Sequence, residues 1–214
     1  MDRSLHEGLP ALQRLALSYA PPAARTPTLA LLALDARLGA ALRQRREPIL
    51  AQMRLAWWRD TLASPPSSWP VGEAVLELLR DWRDPGALVP LVDGWEALLG
   101  ETLDAAAISA FAGGRGEAFG QLARELGHDR QAATACARLW ALGDLAANLS
   151  HAGERSAVLA AAAGPPPHPG LPRALRSLAV LAGLARRSLA RGGAPLLDGP
   201  GAMLHAVWLG ITGR

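Results

Sequence analysis

The 214-residue chain contains no lysine, a single cysteine, one tyrosine and two phenylalanines. All 22 basic side chains are therefore arginines, which lifts the isoelectric point to about 10.3 although basic residues exceed acidic ones by only three. So small an excess does not mark a nucleic-acid surface. The lack of lysine beside abundant Ala, Gly and Pro reads as the imprint of a GC-rich coding sequence. With Cys136 alone, an internal disulfide and a four-cysteine metal site are both excluded, and its Ala-rich surroundings read as a buried small side chain. The longest charge-free stretch, 156–172, is interrupted by prolines and cannot cross a bilayer as one helix. Asp2, Arg3, His6 and Glu7 at the start do not form the layout of a secretory signal. The expectation is a cytoplasmic protein, with room for peripheral contact with the inner membrane.

What the chain does have is helix formers. Half its residues are hydrophobic, β-branched residues are scarce, and seven of its ten aromatics are Trp, so the core must be built mostly from Leu, Ala and Val. An all-α fold follows. The length suits one domain, residues 1–214, with a Pro-rich loop at 164–170 as its strongest break. The forty-odd residues beyond that loop are too few to stand alone and are expected to pack on the rest.

Helical periodicity runs from Pro10 to about Ala20 and stops at Pro21-Pro22. Thr26-Pro27 reads as a cap and first turn for a Leu-rich helix reaching about Arg45. Glu47-Pro48 opens another that ends before the Pro/Ser stretch at 64–70. Further helices are expected at 71–82, 87–99, 102–112, 115–126, 129–150, 172–191 and 199–211. The breaks between them fall at Asp84-Pro85-Gly86, Gly100, Gly113-Gly114 and Gly127, the last as a helix-stopping glycine.

Generic catalytic patterns are absent. His6, His128, His151, His168 and His205 have no partner at helical spacing, so they read as structural or surface residues. The run Gly114-Arg115-Gly116 to Gly120 superficially resembles a phosphate loop, but it follows a helix and lacks the Lys-Ser/Thr ending, so it reads as a helix junction. Asp81 and Asp84 share a face but sit among Arg80, Arg83 and Pro85, which is the pattern of a neutralised helix end. Trp57 and Trp58 lie about 100° apart on a helix, so one can reach the core while the other turns to a cavity or partner. Arg37, Arg43, Arg45, Arg46, Arg54 and Arg59 fall on two helices joined by a short turn. If those helices are antiparallel, the guanidiniums can converge on an anion, although a solvated arginine face is the simpler reading.

Tyr19-Ala20-Pro21, Arg25, the helix from Leu31 to Leu38, and above all the run from Glu47 to Arg59 together resemble the squalene/phytoene synthase family. The likeness is to its divergent branch that includes the mitochondrial complex I assembly factor. Weaker similarity continues through 91–98, 112–119 and 142–149. The resemblance implies an isoprenoid synthase-like bundle of roughly eight to ten helices around a central, largely apolar cavity. Enzymes of that family condense prenyl diphosphates, and two aspartate-rich helical motifs hold the Mg²⁺ ions that draw off the diphosphate.

By that resemblance the first motif falls near Gly39–Arg43, where no carboxylate stands and Asp35 is one turn away. The second falls in 148–159, where Asp144 and Glu154 are the only acids nearby. The resemblance therefore implies a non-catalytic member with no metal, acting by binding in respiratory complex assembly or on an isoprenoid or other lipid. The ligand candidates are Arg25, Arg37, Arg43, Arg54, Trp57, Trp58, Asp144 and Asn148. The partners implied are a prenyl diphosphate, a lipid or a membrane protein complex. The alternative is a head-to-head prenyl transferase of carotenoid or hopanoid synthesis with a rearranged site, which would need Mg²⁺ near Asp35, Asp144 or Glu154.

Overall fold

The structure, a computed structural model, describes residues 3–43, 48–164 and 170–213. Among these residues the chain forms eleven α-helices and three short 3₁₀ turns, with no strand. The helices are α1 (Arg3–Gly8), α2 (Ala11–Ser18), α3 (Pro22–Arg43), α4 (Pro48–Ala63), α5 (Ala74–Leu79), α6 (Val89–Ala97), α7 (Ala105–Glu125), α8 (Gln131–Asn148), α9 (Ala152–Ala161), α10 (Arg176–Ala190) and α11 (Gly199–Thr212). The 3₁₀ turns are Pro66–Ser68, Pro85–Leu88 and Arg173–Leu175. The all-α expectation holds. Residues 165–169 of the proline-rich stretch, and residues 44–47, where the Leu-rich helix was expected to end and the next to open, lie outside the described residues.

Local chemistry explains most boundaries. Asp104 caps α7 by accepting the Ala107 N–H at 2.8 Å. Asp84 caps the second 3₁₀ turn by accepting from the Ala87 N–H at 3.3 Å. The α7 stop is a Schellman turn. Gly127 takes φ +76°, its N–H reaches the Arg124 carbonyl, and the His128 N–H reaches the Ala123 carbonyl.

Two expectations about breaks are corrected. The Leu-rich helix does not begin at Thr26-Pro27; α3 starts at Pro22 and runs through Pro27. The ring removes one hydrogen bond, to the carbonyl four residues back, but Leu29, Leu31, Leu32, Leu34 and Leu38 are fully buried and outweigh that loss. Nor do Gly113 and Gly114 divide 102–126 into two helices, because α7 is continuous. A Cβ on Gly114 would lie 2.2 Å from the Pro90 carbonyl oxygen, and one on Gly94 would lie 2.9 Å from that of Ala110. These glycines let the α6 and α7 backbones touch, so they serve packing between helices and not chain reversal.

α7 packs between α6 and α8, α8 carries α10 on another side, and α10 in turn supports α2 and α11. α3 crosses the middle, touching α1, α2, α4, α5, α6 and α7. The largest core cluster runs from Leu5 to Leu209 and takes in side chains of α10 and α11, so the segment after the proline-rich stretch packs on the rest.

Candidate functional site

At the centre of the bundle three charged residues meet from three helices. Asp35 of α3 and Arg115 of α7 are each 1 % exposed, while Asp144 of α8 is a quarter exposed. Arg115 donates from Nε and Nη2 to the two oxygens of Asp35, both at 3.0 Å, and from Nη1 to Asp144 Oδ2 at 2.8 Å. Asp35 also accepts from Trp95 Nε1 at 2.9 Å and Gln13 Nε2 at 3.2 Å. Asn148, one turn beyond Asp144, donates to the Asp144 backbone carbonyl at 2.8 Å and, more weakly, to Oδ1 at 3.4 Å.

The guanidinium is enclosed by aromatic faces. Its carbon lies 4.1 Å from the ring centre of Trp140, 4.8 Å from Phe111 and 5.1 Å from Trp95. Burial alone would push the Arg115 pKa down, but the attraction of Asp35 and Asp144 and their hydrogen bonds outweigh it and hold the pKa above the ordinary value. Arg115 is thus a permanent buried cation.

This arrangement decides what the carboxylates can do. A carboxylate offers about four lone-pair directions. Asp35 meets four donors, two from Arg115, one from Trp95 and one from Gln13, and has no oxygen left to ligate a cation. Among the described residues no group of His, Cys, Asp and Glu side chains is placed to hold a metal ion. At the level of Asp35 and Asp144 the bundle centre is filled by the guanidinium and its aromatic walls, where a central apolar cavity was expected. A polar surface depression of about 380 Å³ lies elsewhere, lined by Arg83, Asp84, Gln121, Arg124, Glu125 and His128.

The other residues singled out from the sequence that the structure describes do not join this cluster. Half-buried Arg25 donates to the Ala20 carbonyl at 3.2 Å and braces the turn between α2 and α3. Arg37 is exposed and faces Glu73 at 3.8 Å. Arg59 is held by Asp93 at 2.7 Å and by a short contact with Glu96, both on α6, so it locks α4 to α6 and is not available to an outside anion. Arg54 is exposed on α4. The side chain of Arg43, and Arg45 and Arg46 entirely, lie outside the described residues.

Trp57 and Trp58 divide as their spacing predicts. Trp58 is buried, Trp57 is 43 % exposed, and the rings meet edge to face with centres 4.9 Å apart. Trp57 belongs to a stripe. Ile49, at 70 % exposure, Leu50, Met53 at 63 % and Trp57 fall within about 100° of one another around α4. Ala51, Leu55, Trp58 and Leu62 occupy the opposite, core-facing side. α4 therefore carries two apolar faces, and among the described residues only one of them is covered.

Sequence reading missed Arg115, Gln13, Trp95 and Trp140 as members of the central cluster. A signal was present: one arginine between Gly114 and Gly116 in a run otherwise poor in charge, and one aspartate inside the Leu/Ala run of α3. A lone charge in a buried segment requires an opposite charge from another element. Comparison with protein-family models, with curated proteins and with solved structures finds no match.

Proposed function

We propose that this protein acts by binding and not by metal-dependent prenyl transfer, and that it seats on an anionic membrane surface through α4. The observation that carries the reading is the uncovered apolar stripe of Ile49, Leu50, Met53 and Trp57. In the sequence Arg43, Arg45 and Arg46 immediately precede that helix, and Arg54 lies within it. An amphipathic surface helix of this kind lies in the plane of the bilayer interface. Its apolar residues and Trp enter the headgroup boundary while arginines meet lipid phosphates. No helix among the described residues is long and apolar enough to cross a membrane, so attachment in this reading is peripheral.

The non-catalytic half of the proposal is supported by the central cluster, where Asp35 is saturated by Arg115 and its neighbours. It accords with the resemblance to the squalene/phytoene synthase family and its assembly-factor branch, where a membrane-bound respiratory complex is the natural setting for such a surface.

Vesicle sedimentation tests the binding half. Wild-type protein is expected to sediment with phosphatidylcholine vesicles containing phosphatidylglycerol and weakly with phosphatidylcholine alone. Met53→Glu with Trp57→Glu abolishes binding without loss of helical content. Equal recovery of wild type and variant in the supernatant would count against α4 as the contact. Incubation with farnesyl or geranylgeranyl diphosphate and Mg²⁺ tests the other half. Turnover-dependent release of inorganic diphosphate would overturn the non-catalytic reading.

A further inference from the structure

α11 repeats the pattern of α4 with one difference in chemistry. Met203, Leu204, Val207, Trp208 and Ile211 all face outward, with Leu204 and Ile211 more than 70 % exposed. Their spacing puts them within about 140° of arc, on the side opposite Ala202, Ala206 and Leu209, which are buried. Gly183 of α10 accepts Leu209 so closely that a Cβ there would meet its Cδ1 at 2.4 Å. α11 is thus firmly seated on α10 by one face and uncovered on the other.

The difference is charge. Residues 199–212 include no Asp, Glu or Arg. The one titratable side chain, His205, stacks on Trp208 with ring centres 6.0 Å apart. Burial, together with Arg187 and Arg186, lowers its pKa, so it is neutral at pH 7. Asp198, at the entrance to the helix, is paired with Arg191 at 3.0 Å. α11 itself puts no charged side chain on this face to attract an anionic bilayer or steer a charged partner, and the Arg187 guanidinium of α10 lies beside Gly201 at the edge of the face. Nor does any side chain of α11 itself carry a charge that would repel a second copy. On α4 the neighbouring arginines would oppose such self-pairing.

We propose that α11 is the interface through which two copies of this chain pair about a two-fold axis, the exposed apolar face of one meeting the same face of the other. An antiparallel crossing suits the pattern. With Val207 at the axis, Met203 of each copy meets Ile211 of the other, and the bulky residues of both halves of the helix are covered. The helix dipoles then run oppositely, which is the favourable sense. The five side chains offer roughly 500 Å² of exposed apolar surface per copy, more than half of the ~800 Å² that a standard interface takes from each partner. Pairing in the micromolar range is the consequence, without dependence on lipid.

Sedimentation velocity on the full chain tests this over about 1 to 100 µM. Wild type is expected to shift from the 22.4 kDa chain to twice that mass as concentration rises. Leu204→Glu, at a position too exposed to threaten the fold, should weaken pairing at least tenfold, since it sets two like charges into one apolar interface. Val207→Cys adds an independent readout. An isologous axis brings two copies of residue 207 together, so mild oxidation should give a disulfide-linked dimer. Cys136 does not confuse the result because it is buried, and Val71→Cys, on the 92 % exposed residue 71, serves as the unpaired control. A wild type that stays at the monomer mass throughout, or a Leu204→Glu variant that pairs as well as wild type, overturns the proposal. So does binding to neutral phosphatidylcholine vesicles that Leu204→Glu abolishes while the protein in solution is monomeric, because the face is then covered by lipid.

Discussion

Arg115 shows how much one residue can decide. Its guanidinium joins α7 to α3 through Asp35 and to α8 through Asp144, inside a ring of Trp95, Phe111 and Trp140. Replacing it with Met keeps most of the volume but leaves Asp35 buried with no counter-charge. The expected loss of stability is about 3–5 kcal/mol, the range for breaking a buried pair from one side. Asp144→Asn should cost clearly less, because Asp144 is a quarter exposed and water can replace it. Urea unfolding of the two variants checks the order, and equal losses would mean that the network does not depend on burial. Cys136 supplies a chemical test of the same interior. Burial raises its thiol to about 11, with a small opposing pull from Arg186. Native protein should therefore resist alkylation at pH 8 and react only on unfolding. Because the folded pKa lies above the unfolded one, the thiol's contribution to stability is full below the unfolded pKa near 9 and is lost as pH rises towards 11.

At the level of elements, glycine separates what sequence can disclose from what it cannot. Gly113 and Gly114 are neighbours in α7 with opposite surroundings. A Cβ at Gly113 meets only Arg138 Nη1 at 3.7 Å, whereas one at Gly114 would collide with the Pro90 carbonyl. Gly113→Ala should stabilise by about 0.5–1 kcal/mol through helix propensity. Gly114→Ala should destabilise by about 2 kcal/mol or more, because the α6 backbone must move. Thermal melts of the two single variants decide it, and shifts of the same sign would refute the close-approach account. The sequence makes every helix except α1 and α9 visible through its Leu and Ala periodicity, its prolines and its caps. It does not distinguish a glycine that ends a helix, such as Gly127, from one that admits a neighbouring backbone, such as Gly114, because that depends on what lies across the contact. The charge cluster was hidden for the same reason. Asp35, Arg115 and Asp144 are 80 and 29 residues apart along the chain, and only the crossing of three helices brings them together. The exposed stripe on α4 was half legible, since adjacent tryptophans must point to different sides, but which side the bundle covers depends on where α3 and α6 pack.

For the whole molecule, the proposed lipid contact combines two forces that respond differently to salt. Of the six arginines between 37 and 59, Arg37 and Arg59 already face carboxylates of the protein. The same stretch of sequence holds Arg43, Arg45, Arg46 and Arg54 with Glu47 as its one acid, which is four positive charges less one, or a local excess of three. Near an anionic leaflet each such charge contributes about 1 kcal/mol, so replacing Arg43, Arg45 and Arg46 with Ala should lower vesicle affinity by roughly two orders of magnitude at low salt. That difference must shrink as salt shortens the screening length from about 10 Å at 0.1 M to about 3 Å at 1 M. The apolar part does not screen. Wild type should keep a residual affinity at high salt that Met53→Ser with Trp57→Ser loses, while the same pair of changes leaves the steep salt dependence at low ionic strength intact. Vesicle titrations of the three proteins across that range separate the two contributions. A triple-arginine variant whose deficit is the same at every salt concentration would show that those arginines act by holding the helix in shape, and the membrane reading would then rest on the apolar stripe alone.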